Sequence, residues 1–341
     1  MGLDFVSDLH TAEILLADGS RCTRQIEIRK CPISGRTARI TYSRQDEQEP
    51  RAESLPEPPP FAYDNSTCPF CSHNLATSTP RIVPELFPDG RMTKGNSVLF
   101  PNLYPYGRYS AVSLFDDQHF VEIGTASPLS YRDCLLNCRD YLLRIGKKDP
   151  AARYLAITQN HLPSAGGSLL HPHLQIQADH VPANHQRSLG DCSRNHLARH
   201  CTLLFSDYLA HEKQDGSRML GTIGNWHWLT SFAPEGFYEI WGILPGITSL
   251  QAVHDEEWYD LASGIIHCQK FYRSLGRNGY NLGILFENGC ASLEVRAVLT
   301  VRSNYAPWVR SDFTGFELGP GDMATFDAPE AVAFRGRQFW L

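Results

Sequence analysis

Residues 160–175 read N-H-L-P-S-A-G-G-S-L-L-H-P-H-L-Q, a small-residue loop running straight into an alternating segment. In an extended chain side chains two apart share a face, so His171, His173 and Gln175 are predicted to line one edge. The backbone N–H groups of a loop such as residues 164–168, with little side chain in the way, can approach an anion closely. A neutral imidazole beside them can attack phosphorus. The combination points to phosphate-group transfer, although a lone histidine on a strand is more often a structural residue.

A second chemical stretch is Cys68-Pro-Phe-Cys71, whose two-residue spacing lets both thiolates reach one tetrahedral ion. Spacing alone leaves a redox pair or a chance pair open. His73 is close in sequence, but its spacing from Cys71 would strain a shared site. The other cysteines of the ten are scattered and read as buried small residues.

The elements that must position these groups follow from periodicity and punctuation. Residues 24–30 and 36–42 alternate around the turn C-P-I-S-G and predict a hairpin. Residues 45–60 are acidic and proline-rich with almost nothing to bury, and predict a loop or arm. Residues 108–115 form a strand candidate. Ser130, with Asp133 as capping partner, is predicted to start a helix that carries Leu135, Cys138, Leu142 and Ile145 on one face and stops at Gly146. Residues 154–159 read as the strand leading into the loop, and 193–211 as a helix with Leu197, Cys201, Leu204 and Tyr208 on one face.

The second half repeats the plan, with a strand at 237–244, a helix at 255–275 closed by Gly276, and strands at 280–287 and 292–302. The expected fold class is α+β: two tandem units, residues 1–190 and 191–341, built mainly of antiparallel sheet flanked by helices. The strand corresponding to His171 and His173 carries Glu294 and Arg296, and no histidine follows His267. The second unit is therefore expected to be a non-catalytic scaffold.

With 341 residues, 42% hydrophobic and 20% charged, a net charge of −6 and no Lys/Arg run, nothing calls for a nucleic-acid polymer or a membrane as partner. Residues 1–10 hold Asp4 and Asp8 and no long apolar run, so a cytoplasmic protein is expected.

H-x-H-x-Q behind a Gly/Ser loop resembles the active-site segment of galactose-1-phosphate uridylyltransferases, the branch of the histidine-triad superfamily whose third histidine is glutamine. C-P-F-C-S-H-N looks like that family's zinc knuckle, and the resemblance runs over residues 24–335. It implies two histidine-triad-like units and one structural zinc on Cys68, Cys71, His119 and His171. It makes His173 the nucleophile, with Gln175 as the amide at the third position. Asn160, Gly166, Gly167 and Ser168 would hold the phosphate, with Arg44 as a further phosphate contact. F-P-N-L-Y-P-Y resembles the nucleoside-binding segment, with Asn102 and Tyr104 in place and Leu103 where the family has an aspartate. The closing segment keeps Gly315, Phe316 and Glu317 but lacks the family's lysine near Ser311 and glutamine near Met323. In the family it reaches the partner's site, which implies a homodimer. The implied activity is nucleotidyl transfer through a nucleotidyl-histidine, from a nucleotide sugar to a sugar phosphate or another phosphate acceptor. A phosphorylase or hydrolase of dinucleotides or another activated phosphate is the alternative, and a non-catalytic zinc-stabilised binding protein a weaker one.

Overall fold

The computed structural model describes residues 2–41, 54–302 and 313–341. In chain order these form strands β1 (Val6–Leu15), β2 (Arg21–Lys30) and β3 (Thr37–Thr41), helix α1 (Ser72–Ser78), and strands β4 (Met92–Lys94), β5 (Ser97–Pro101) and β6 (Tyr109–Leu114). Helix α2 (Pro128–Lys148) precedes strands β7 (Tyr154–His161) and β8 (His173–Asp179), and helices α3 (Asn184–His200) and α4 (Leu204–Asp215) follow. Strands β9 (Met219–Ile223), β10 (Trp226–Thr230) and β11 (Ile240–Leu244), helix α5 (Asp255–Ser274) and strands β12 (Gly279–Glu287) and β13 (Val295–Arg302) come next. The chain ends with α6 (Gly315–Leu318), β14 (Met323–Thr325) and α7 (Pro329–Gly336).

Ten strands make one sheet in the order β4-β5-β6-β8-β7-β12-β13-β11-β10-β9. The order is the same from both edges: β4, β5, β6, β8, β7 mirror β9, β10, β11, β13, β12. The two units meet at β7 and β12, which pair antiparallel from Tyr280↔His161 to Glu287↔Tyr154. At the centre of that seam Thr158 pairs with Gly283, and Gln175 and Val298 flank the pair on either side. This is the α+β arrangement of two tandem units expected from the repeated plan, with helices on the sheet faces.

Alternation decides which face is buried. On β7, Leu155, Ile157, Gln159 and His161 are buried and the even-numbered residues are half-exposed. Ile157, Ile176, Ile284 and Ala297 join Leu135 and Leu142 of α2 and Leu261 and Ile265 of α5 in the main core, so both long helices lie on one face. The opposite face is treated differently in the two units. In the second, Leu204, Phe205 and Tyr208 of α4 and Leu189 of α3 cover Trp241, Ile243 and Val298. In the first, only a small cluster of Phe100, Val112 and Leu114 with Phe70 and Leu75 lies there.

The strands expected at 237–244 and 292–302 begin only at Ile240 and Val295, and the helices depart further from expectation. Helix α2 is capped by Ser127, whose side chain accepts from the Leu129 N–H, and it runs through Gly146 to Lys148; Pro128 suits the first helical position. The helix expected over 193–211 is two helices, because Cys201 turns to the left-handed region (φ 58°) and ends α3. Most of the 45–60 arm lies outside the described residues, but Leu55, a single leucine among prolines, packs on the main core. Strand β1, the β9–β10 hairpin and α7 carry no sequence signal singled out above.

A second, four-stranded sheet runs β1-β2-β3-β14, with β14 parallel to β3. Glu330 of α7 ties it to the second unit: its carboxylate accepts from Arg29 of β2 (2.8 and 2.9 Å) and from Arg218 (2.7 Å). Among the described residues no helix is long and apolar enough to cross a membrane.

Candidate active site and metal centre

The loop between β7 and β8 is shaped by backbone constraints. Leu162 has φ 71°, a conformation that costs a β-carbon-bearing residue of order 1–3 kcal/mol. Its carbonyl accepts from the N–H groups of Ala165 (3.0 Å) and Gly167 (3.1 Å). Gly166 is left-handed (φ +85°), and a Cβ on Gly167 would meet the Asn160 carbonyl at 2.9 Å, so the two glycines allow the chain to fold back on the end of β7. Gly166 and Ser168 are exposed and Gly167 is buried. Behind the loop is a cavity of about 230 Å³ whose lining includes Leu55, Phe61, Phe120, His161 and Leu170.

The loop delivers His173 to the start of β8, opposite Leu114 of β6. His173 is buried, and its Nδ1 lies 2.8 Å from the His171 carbonyl. A carbonyl only accepts, so Nδ1 carries the proton and Nε2 keeps its lone pair. Burial pulls the His173 pKa below the ordinary histidine value, against the opposing pull of the carbonyl, so the ring is neutral and nucleophilic at neutral pH. The Phe70 ring meets it edge-on at 5.3 Å between centroids. Gln175 lies two residues along on the same face, half-exposed, between Val112 and Thr158.

Cys68, Cys71, His119 and His171 bring their ligand atoms within 4.8 Å of one another. Cys71 Sγ is 3.4 Å from His119 Nδ1 and 3.6 Å from His171 Nδ1. A tetrahedral ion with bonds of about 2.3 Å to sulfur and about 2.0 Å to nitrogen sets those atoms about 3.5 Å apart, so this donor set fits a metal ion. The knuckle is held by Asn74, whose Nδ2 donates to the Ser66 and Cys68 carbonyls, each at 3.0 Å. His171 turns its Nε2–H to the Asp116 carbonyl (3.0 Å), the outer bond that fixes a ligating imidazole. Burial, with the Cys68 sulfur beside it, pushes the Cys71 thiol up to about 11, so a Cys71 thiolate calls for a cation beside it. His73 is not in the group. Because the Nδ1 of His171 belongs to this donor set while its carbonyl orients His173, the candidate metal site and the His173 imidazole share one backbone segment.

Asn160 ends the open face of β7 beside the loop, and its Oδ1 accepts from Asn281 Nδ2 of β12 at 2.7 Å. Asn102 accepts from the Tyr104 N–H with its side chain (3.0 Å), and Tyr104 is exposed. Phe316 is on α6, under the guanidinium of Arg39 from the small sheet (5.6 Å). Arg44 lies outside the described residues. Sequence reasoning missed Phe70, Asn281 and Arg302. Phe70 was within the quoted knuckle, whereas the other two are visible only once β12 is registered against β7.

No family model matches the sequence. An uncharacterized protein of Archaeoglobus fulgidus is 25% identical over 340 residues, 99% of each chain. Among solved structures, an ADP-glucose phosphorylase from Arabidopsis thaliana with bound ADP-glucose is similar at TM-score 0.71 and 17% identity, over 92% of this chain and 99% of that one. A galt-like protein from the same plant reaches 0.68 at 18% identity, over 91% and 98%. A uridylyltransferase reaches 0.65 at 20% identity, over 92% and 98%. The chain has the fold of these proteins.

Proposed function

We propose that this protein is a nucleotidyltransferase that works through a nucleotidyl-histidine on His173. The observation that carries the reading is the Nδ1–H bond to the His171 carbonyl, which leaves Nε2 of a buried, neutral imidazole as the nucleophile at the end of a glycine-bearing loop. Nε2 attacks the α-phosphorus of a nucleoside diphosphate sugar, and the bond from phosphorus to the sugar phosphate oxygen breaks. The sugar phosphate leaves as an anion that needs no proton, which suits an amide, Gln175, at the third position. The imidazolium so formed keeps its Nδ1–H on the carbonyl. A phosphate oxygen of the acceptor then attacks phosphorus, the P–N bond breaks, and His173 returns to its neutral form.

Asn160, Gly166, Gly167, Ser168 and Arg44 are proposed to hold the phosphates, and Asn102 and Tyr104 the nucleoside. Cys68, Cys71, His119 and His171 would hold a zinc ion; four protein ligands close its shell and give it a structural role. The reading extends to a homodimer in which the segment around Phe316 serves the partner's site.

The acceptor separates two versions of the reaction. A sugar phosphate makes the protein a uridylyltransferase-like transferase, and inorganic phosphate makes it a phosphorylase. The second version is favoured by the lack of the lysine near Ser311 and the glutamine near Met323 with which the family's closing segment meets the hexose phosphate, and by analogy of fold with the ADP-glucose phosphorylase. The test is the mass of intact protein after incubation with ADP-glucose, UDP-glucose and dinucleotides. We expect a gain of one nucleoside monophosphate, lost on adding the true acceptor. Absence of any adduct, with turnover still observed, would sink the covalent reading.

A further inference from the structure

The second unit contributes a pair of residues that decides which atom Asn160 presents. Asn281 of β12 stands directly across the seam from Asn160. Its Nδ2 donates to Asn160 Oδ1 at 2.7 Å and to the Ala165 carbonyl at 2.9 Å, and its Oδ1 accepts from Arg302 Nη1 at 3.1 Å. The two ends of an amide are close in size and differ only in donating or accepting. Here neither end is free to exchange, because a guanidinium only donates and a backbone carbonyl only accepts. Arg302 therefore claims Asn281 Oδ1, Ala165 claims Nδ2, and Asn160, met by a donor, must answer with its oxygen.

The outcome is that Asn160 Nδ2 is the group left over. It has no partner among the described residues, stands on the face that carries His173 and Gln175, and lies 4.0 Å from where a Cβ on Gly166 would be. We propose that Arg302 and Asn281 are positioning residues that lock the Asn160 amide with Nδ2 outward, as a donor to the phosphoryl oxygens of the nucleotide. The inference rests on the transferase reading above. A reversed amide would aim a lone pair at those oxygens; a preorganised donor meets their developing charge without reorganising during the reaction.

Asn281→Asp separates the lock from simple packing. The new carboxylate still accepts from Arg302, but it cannot donate to Ala165 or Asn160, so Asn160 turns its Nδ2 inward and its oxygen out. We expect the rate constant for adduct formation on His173 at saturating ADP-glucose or UDP-glucose to fall on the order of a hundredfold, with a much smaller change in the half-saturating concentration. In an Asn160→Ala background the same change should do nothing further to the rate, since its effect passes through Asn160. An unchanged rate, or an equal fall in that background, would overturn the lock. Melting temperatures of the four proteins test it without substrate, and Asn281→Ala replaces the aspartate variant should that one not fold. Additive melting shifts would count against the lock, whereas a wild-type protein that forms no adduct would count against the transferase reading.

Discussion

Two positions related by the seam have had opposite fates. Gln175 and Val298 flank the Thr158–Gly283 pair, and two residues before each lie His173 and Arg296. His173 begins a strand on the uncovered face. Arg296 is half-buried under α4, with its guanidinium carbon 4.0 Å from the Trp241 ring centroid and 4.9 Å from that of Phe205. Two residues earlier the contrast repeats: His171 belongs to the ligand group, whereas Glu294 accepts from the N–H groups of Ser206 (2.9 Å) and Gly246 (2.8 Å). That carboxylate supports the first turn of α4, whose own N-cap residue, Leu203, offers no side-chain acceptor. The same backbone position thus carries the proposed nucleophile where no helix lies over the face, and a packing residue where α4 covers it. Helix cover, more than strand geometry, separates the two units.

The hardest test of the contrast is His173→Gly. We expect adduct formation and transfer to fall roughly 10⁴-fold or more, with metal content and fold kept. A preformed nucleoside phosphoro-imidazolide should fill the space and restore only the second half-reaction. Cys68→Ser should do the reverse of the glycine change on metal, losing it by elemental analysis along with thermal stability. Substantial turnover by the glycine variant would end the claim that this unit is the chemical one.

Arg296→Met, at the related position, should leave the adduct rate unchanged and lower stability by about 3 kcal/mol in urea unfolding. The cost arises because the guanidinium lies against the Trp241 and Phe205 rings and is the charge that offsets Glu239 and Glu235, so removing it loses the cation–π contacts and leaves those carboxylates uncompensated. A loss of transfer matching that of His173→Gly would break the comparison.

The effect smallest at neutral pH concerns His161, which occupies in the first unit the place Phe286 has in the second, each three residues beyond the central pair. Burial pulls its pKa to about 4, below the unfolded value near 6.5. The neutral ring is favoured in the fold, so its contribution is fully present above about pH 6.5 and is lost as pH falls towards 4. Over that window it amounts to about 3 kcal/mol. His161→Phe should flatten this part of the stability–pH curve, read from urea midpoints at several pH values; an unaltered acid limb would remove His161 from the account.

The repeated strand–helix–strand plan was legible because alternation and helical spacing survive in both halves, and the two-residue cysteine spacing with H-P-H-L-Q marked the groups that the structure gathers. Cys201 shows what was not legible: the left-handed turn that splits α3 from α4 interrupts a run whose apolar spacing reads as continuous helix. Asn281 shows it differently. Nothing in G-Y-N-L-G marks an asparagine for the site, because its role depends on being paired across the seam with a residue over a hundred positions earlier. Contacts set by register between distant strands leave no local periodic trace.

The parallel pairing of β14 with β3 joins Met323 to Ala38, and Glu330, beyond it, supplies a carboxylate to both Arg29 and Arg218. During synthesis the amino-terminal hairpin therefore emerges long before its last strand and its counter-charge exist. Until residues 323–325 leave the ribosome, β3 is an open edge able to pair with another chain. Completion of this small sheet joins residues 37–41 to residues 323–325, and a transcript truncated before Met323 would yield a protein with its ten-stranded sheet encoded in full but with an adhesive edge at β3.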